Sequence, residues 1–236
     1  MTSTESGANS PYDERGVRTA PTLYFKECGQ AFTEITARAA VERAIELGLG
    51  YIVVGSTTGY SAKKLYEAGQ AAGWSGQLVV ITEHFGYHAP GHQAFSDDTR
   101  RWLEERGVLV HTGTHAFSSV ARAFRLRWQG IEMLEIVAET LRRISRGTKT
   151  GVEAAVMAAN AGLIPIDEDV VAVGGTGRGA DTAIVLRPAE MNHFFDLKVR
   201  EFICLPQVRT AELEPKDLSS PEVSSERKNA PGRGGR

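Results

Sequence analysis

Apolar positions along this chain alternate between short unbroken runs and longer stretches of helical period. Residues 22–25 form a short β-prone run after Pro21. Residues 33–47 then carry Ile35, Ala39, Val41, Ala44 and Ile45 at helical spacing, with Gly48 placed to end the helix. Residues 51–54 are a wholly apolar strand of the kind buried on both faces of a parallel sheet. A helix should follow and run to about Ala72, and the next strand covers residues 77–81. Ser96 can cap a helix that has Asp97 and Asp98 in its first turn and runs to Arg106; Gly107 closes it before a strand at 108–110.

Beyond that point the pattern turns helical for about fifty residues. A helix is expected from about Ser118. Ile131, Leu134, Val137, Leu141 and Ile144 make an amphipathic stripe with Gly147 as its stop, and a small, apolar helix over residues 150–161 reads as buried. Two β runs, 170–173 and 182–186, flank a loop rich in glycine, and a turn at 192–195 leads to a last strand over 197–205. Four β-then-α units in series imply an α/β fold: a three-layer α/β/α sandwich with a mostly parallel sheet and antiparallel strands at one side. Polar, low-complexity stretches at 1–20 and 210–236 read as disordered tails around a single domain over 21–209.

Chemistry is concentrated where strands end. Gly175, Gly177 and Gly179 give the loop after residue 173 a backbone open to close approach, while Thr176, Arg178 and Asp181 supply its functional groups, a candidate anion nest. The string looks like part of a dinucleotide fingerprint, but a strand follows it rather than a helix, which excludes that reading. After residue 54 come Ser56, Thr57, Thr58, Gly59 and Ser61, hydroxyls and a glycine opening a helix whose free N–H groups suit an anion. Lys63 and Lys64 near that first turn are unfavourable with the helix dipole unless an anion is close; the alternative is that they point to solvent and pair with Glu67.

Thr82, His84 and Gly86 belong to a long loop after the next strand. His84, His88 and His92 recur every four residues, but Gly86, Pro90 and Gly91 break any helix that would stack them. No metal is assigned there; His84 is expected near a ligand, with the other two on a mobile lid. His111-Thr112-Gly113-Thr114-His115 is a further polar strand-end loop. Arg122, Arg125 and Arg127 read as a solvated surface, and Glu153 as a structural partner rather than a catalyst.

Composition narrows the classes. The 236 residues are 42% hydrophobic and 24% charged with a net charge of −2, giving no general attraction to nucleic acid or to an anionic membrane. Two cysteines, Cys28 and Cys204, are too few for a disulfide framework. With no apolar leader and no apolar run of about 18 residues, a cytoplasmic location is expected.

The segment VVGSTTGYSA at residues 53–62 resembles the phosphate-binding loop of the pyruvate kinase C-terminal domain. TEHFGYHAPG, THAFSS, AANAGLIP, VAVGGTGRGADTAIVLRPA and FFDLKVREFICLP resemble stand-alone proteins of the pyruvate kinase alpha/beta-domain-like type, some of which hold FMN. The resemblance covers about residues 23–206. It implies that Ser56, Thr57, Thr58, Gly59 and Ser61 hold a phosphate. The glycine loop with Arg178 would meet the remaining phosphate, ribityl or ring atoms, and Thr82, His84 and Gly86 would join from the neighbouring strand end. Kinase activity is not implied, because that active site lies in a barrel domain for which this chain is too short. The expected partner is thus a phosphorylated small molecule, with FMN as cofactor and a flavin-dependent oxidoreductase as the activity. The alternative is a non-catalytic sensor of a phosphorylated metabolite. No catalytic residue is assigned, and helices with alanine faces suit a homo-oligomer.

Overall fold

A computed structural model describes residues 12–207; of the tails expected at 1–20 and 210–236, residues 1–11 and the whole of 210–236 lie outside the described residues. Seven strands form one sheet: β1 (Leu23–Phe25), β2 (Tyr51–Gly55), β3 (Gln77–Thr82), β4 (Leu109–Thr112), β5 (Val170–Gly174), β6 (Thr182–Arg187) and β7 (Lys198–Pro206). Their spatial order is β1-β7-β6-β5-β2-β3-β4. β6 alone runs against the others, antiparallel to both β5 and β7, while β1 pairs parallel with β7. The antiparallel pairings therefore fall on one side of β2, as the β5–β6 hairpin required.

Helices α1 (Thr33–Glu46), α2 (Tyr60–Ala72) and α3 (Asp97–Glu104) cover one face. Their Ala40, Val41, Leu65 and Leu103 pack with Ile52, Val54 and Val80 of the sheet. The opposite face is covered chiefly by α6 (Arg146–Asn160), whose Val152, Ala155 and Ala158 pack with Val53, Val79 and Ala172. Alternate residues of β2 thus enter opposite cores, which is why that strand reads as continuously apolar and not as alternating. Three layers result. α4 (Ser119–Trp128) and α5 (Met133–Arg142) form a helical hairpin between β4 and α6. No helix among the described residues is long and apolar enough to cross a membrane.

Two features depart from the pattern of the sequence. Gly147 does not stop a helix; it lies in the first turn of α6, which starts at Arg146 behind Ser145, whose hydroxyl accepts the Thr148 N–H at 2.8 Å. The glycine is there because a Cβ would sit 2.3 Å from Thr182 Oγ1, so only a bare backbone lets α6 approach the strand ends this closely. Second, Arg18, inside the stretch read as a tail, pairs with Glu201 of β7, and Arg43 reaches the same carboxylate at 2.9 Å.

Candidate functional site

The connection through α2 carries the chain from β2 to β3 on one face, and the connection ending in α6 returns it to β5 on the other face. β2 and β5 are neighbours whose outgoing and incoming helices lie on opposite sides. Such a switch point leaves a crevice beyond the carboxyl ends of the strands. A cavity of about 650 Å³ occupies it.

The N-terminus of α2 forms one wall. Gly59 precedes it in the left-handed conformation, at φ +86°, with a hypothetical Cβ only 2.3 Å from Thr99 Cγ2 and 3.4 Å from the Phe95 ring. Glycine is therefore required for the turn that aims Ser56, Thr57, Thr58 and Ser61 into the cavity. The N-terminus of α6 forms the facing wall with Arg146, Lys149 and Thr150, and Arg142 at the end of α5 lies beside it. First-turn amides of two helices thus converge with a set of cations, an arrangement suited to an anion.

Of the residues singled out in the sequence, Ser56, Thr57, Thr58, Ser61, Thr82, Gly175, Gly177, Arg178 and Gly179 all line this one cavity. Gly59, His84, Gly86, Thr176 and Asp181 do not. Gly86 sits in the exposed turn of the long loop, where its N–H donates to His92 O at 3.0 Å. His84 packs edge-on against His115 and Tyr87, at 4.9 and 5.5 Å between ring centroids, and so backs two lining residues. Asp181 is fully buried and accepts the Gly29 N–H at 2.8 Å and the Thr182 hydroxyl at 3.0 Å, with Thr176 also donating to it. Burial raises its pKa, opposed by these donors. It ties the glycine loop to the turn before α1 instead of facing the cavity.

The charges that face the cavity come from a different place than Lys63 and Lys64. Lys64 bonds Glu34 at 2.9 Å and Glu67 at 3.2 Å, and Lys63 lies 5.2 Å from the centroid of the Trp102 ring. Arg142, Arg146, Lys149 and Arg178 line the cavity against two carboxylates, Glu83 and Glu153. Lys149 is ion-paired with Glu153, and both are largely buried. The other oxygen of Glu153 accepts the Phe117 N–H at 2.9 Å, the structural partnership expected of it. Burial lowers the Lys149 pKa, and Glu153 opposes that shift. Glu83 accepts the Thr57 hydroxyl at 3.1 Å and lies 2.9 Å from His88 Nε2. Arg142 bonds Glu139 at 2.5 Å. Arg146 and Arg178 have no carboxylate partner among the described residues, and Arg178 sits 5.3 Å over Tyr60.

Sequence reasoning missed Tyr60, Glu83, Tyr87, Arg142, Arg146 and Lys149 as lining residues, and left His115 in a loop without a role. His115 is partly buried behind the mouth, and burial pushes its pKa down to about 4, with Glu153 pulling it up and Lys149 pushing it further down. The histidines at 84, 88 and 92 do not come together. Among the described residues no group of three or more His, Cys, Asp or Glu side chains is placed to hold a metal ion. Arg122, expected on a solvated surface, lies 4.7 Å over the Tyr87 ring and supports the cavity wall.

The profile of the family described as pyruvate kinase, alpha/beta domain, matches residues 34–186, from the start of α1 to the end of β6. The chain belongs to that family. The match spans α2, α6 and the glycine loop, so every wall of the cavity described above falls within the pyruvate kinase alpha/beta domain.

Proposed function

We propose that the cavity binds a phosphorylated small molecule, FMN in the first place. The observation that carries this reading is the convergence of two helix N-termini with hydroxyls of Ser56, Thr58 and Ser61 and with Arg146 and Arg178, two guanidinium groups that lack a carboxylate partner among the described residues. A phosphate dianion offers the complementary charge and accepts from all of these donors. The volume of about 650 Å³ lies within the range of small-molecule sites. Tyr60 and Tyr87 add aromatic surface at its walls, which suits the ring system of a flavin. FMN, when bound, supplies reversible hydride and electron transfer. The chain's own part would be to hold the phosphate between the starts of α2 and α6 and to keep Lys149, Glu153 and His115 near the rest of the ligand. A flavin-dependent oxidoreductase is the activity consistent with that set.

The visible spectrum of the purified protein tests the reading, followed by a thermal-shift screen with FMN and a panel of sugar phosphates. A flavin spectrum, or stabilisation by added FMN, supports it, and reduction of the bound flavin by NAD(P)H would mark an oxidoreductase. Stabilisation by a sugar phosphate without any response to FMN would favour a metabolite sensor. A protein that responds to no phosphorylated compound would overturn both.

A further inference from the structure

The hairpin of α4 and α5 carries more exposed apolar surface than a lone domain needs. Phe124, Leu126, Trp128, Ile131, Met133 and Ile136 are each between 49% and 83% exposed. At about 150–200 Å² for each fully exposed side chain, they leave roughly 600–800 Å² of apolar surface in water. The largest such patch on an ordinary monomer is about 300–600 Å², and one partner in a standard protein interface contributes about 800 Å². Phe124 and Trp128 pack with their rings tilted by 43° and their centroids 5.0 Å apart and form a ridge. Leu126, Ile131 and Ile136 lie instead in an open groove between the two helices, of about 980 Å³.

α4 also lacks a seat. α5 packs on α6, but α4 packs to no comparable extent on any other element of the described residues. A ten-residue helix is marginal in water unless something covers its apolar side. The chain's remaining segments are poorly suited to do so: residues 1–11 are MTSTESGANSP, and the only large aliphatic side chains in 208–236 are Val208, Leu213, Leu218 and Val223, scattered among charges.

We propose that a second copy of this chain covers the hairpin, each copy placing its Phe124–Trp128 ridge in the other's groove. Charge favours a copy of the same chain. Within one copy Arg125 of α4 pairs with Glu135 at 3.2 Å and Glu139 pairs with Arg142 and Arg143, but Arg127 of α4 and Glu132 just before α5 have no ion-pair partner among the described residues. A two-fold axis that lays α4 on the partner's α5 sets Arg127 of each copy towards Glu132 of the other, on both sides at once. The contact also bears on the cavity, since Arg122 props Tyr87 and Arg142 lines the wall from the end of α5.

Sedimentation equilibrium on the full chain tests this. At about 10 µM the wild type is expected at twice the 25.6 kDa of one chain. The triple substitution Trp128→Glu, Ile131→Glu and Met133→Glu is expected to halve the mass at the same concentration with an unchanged circular dichroism spectrum, because these side chains are exposed within one copy. Ile131→Asp alone, in the connection between the helices, gives the same readout with less risk to the helices themselves. A wild type that stays at the mass of one chain overturns the proposal, whether it remains free or is captured by anionic vesicles. Variants that keep the doubled mass also overturn it.

Discussion

Protonation of His115 should undermine the fold in mildly acidic solution, by an amount that the burial of this side chain sets. Its ordinary pKa is 6.5, and in the folded chain burial pushes it down to about 4. For a base whose folded pKa is depressed, the stabilising contribution is complete above the unfolded value and drains away as the pH falls through 6.5 towards 4. Linkage over that interval gives a loss of about 2 kcal/mol by about pH 5 and about 3 kcal/mol by about pH 4, relative to neutral pH. For a domain of this size the loss at about pH 5 corresponds to a fall in Tm of roughly 4–8 °C. Other groups titrate in the same range, so the measurement is a difference. Tm is followed by differential scanning fluorimetry from about pH 7.5 to about pH 4.5 for the wild type and for His115→Gln, which is polar but does not titrate. The wild-type curve should fall more steeply, and the two should diverge below about pH 6.5. Parallel curves would show that His115 is not held neutral by its surroundings. A phosphorylated ligand close to His115 would raise its pKa and flatten the wild-type curve.

Substitutions at three positions probe the cavity and its supports. Arg146→Ala removes an exposed guanidinium from the rim and should weaken binding of FMN by about tenfold or more, with Tm of the free protein nearly unchanged, as isothermal titration calorimetry would read. Gly59→Ala forces a Cβ into Thr99 in a left-handed turn and should destabilise the fold by about 2 kcal/mol or more in urea unfolding. Asp181→Ala leaves the Gly29 N–H without its acceptor and the Thr182 hydroxyl with only Ser145 Oγ in reach, and should cost about 2–3 kcal/mol, whereas Asp181→Asn keeps an acceptor and should cost less than about half of that. If the Asn and Ala variants unfold alike, the loop is not held in the way described.

The layered fold was legible because its signals are local. Strands β2, β3 and β5 are apolar runs that no amphipathic helix could produce, and Ser96 caps α3 by accepting the Thr99 N–H, as its sequence signature indicates. The walls contributed by α2 and the glycine loop were legible for the same reason: small and hydroxyl-bearing residues directly follow a strand. The wall contributed by α6 was not. Its first turn reads Arg146-Gly147-Thr148-Lys149-Thr150, and a glycine there looks like a stop, because the requirement for it comes from β6 residues 35 positions away. Ser145 was the available signal, an N-cap hydroxyl directly before the turn. Lys63 and Lys64 do not face the cavity: Lys64 pairs with Glu67, the alternative the sequence offered, while Glu34 of α1 and the Trp102 ring, both distant in sequence and so not legible in it, take up the rest.

Calorimetric titration of the purified chain with FMN and, separately, with riboflavin isolates the phosphate group on which the account depends. FMN should bind at least about tenfold more tightly than riboflavin, and Arg146→Ala together with Arg178→Ala should abolish most of that difference. Equal affinity for the two flavins, or no binding of either, would contradict an FMN phosphate held between the starts of α2 and α6.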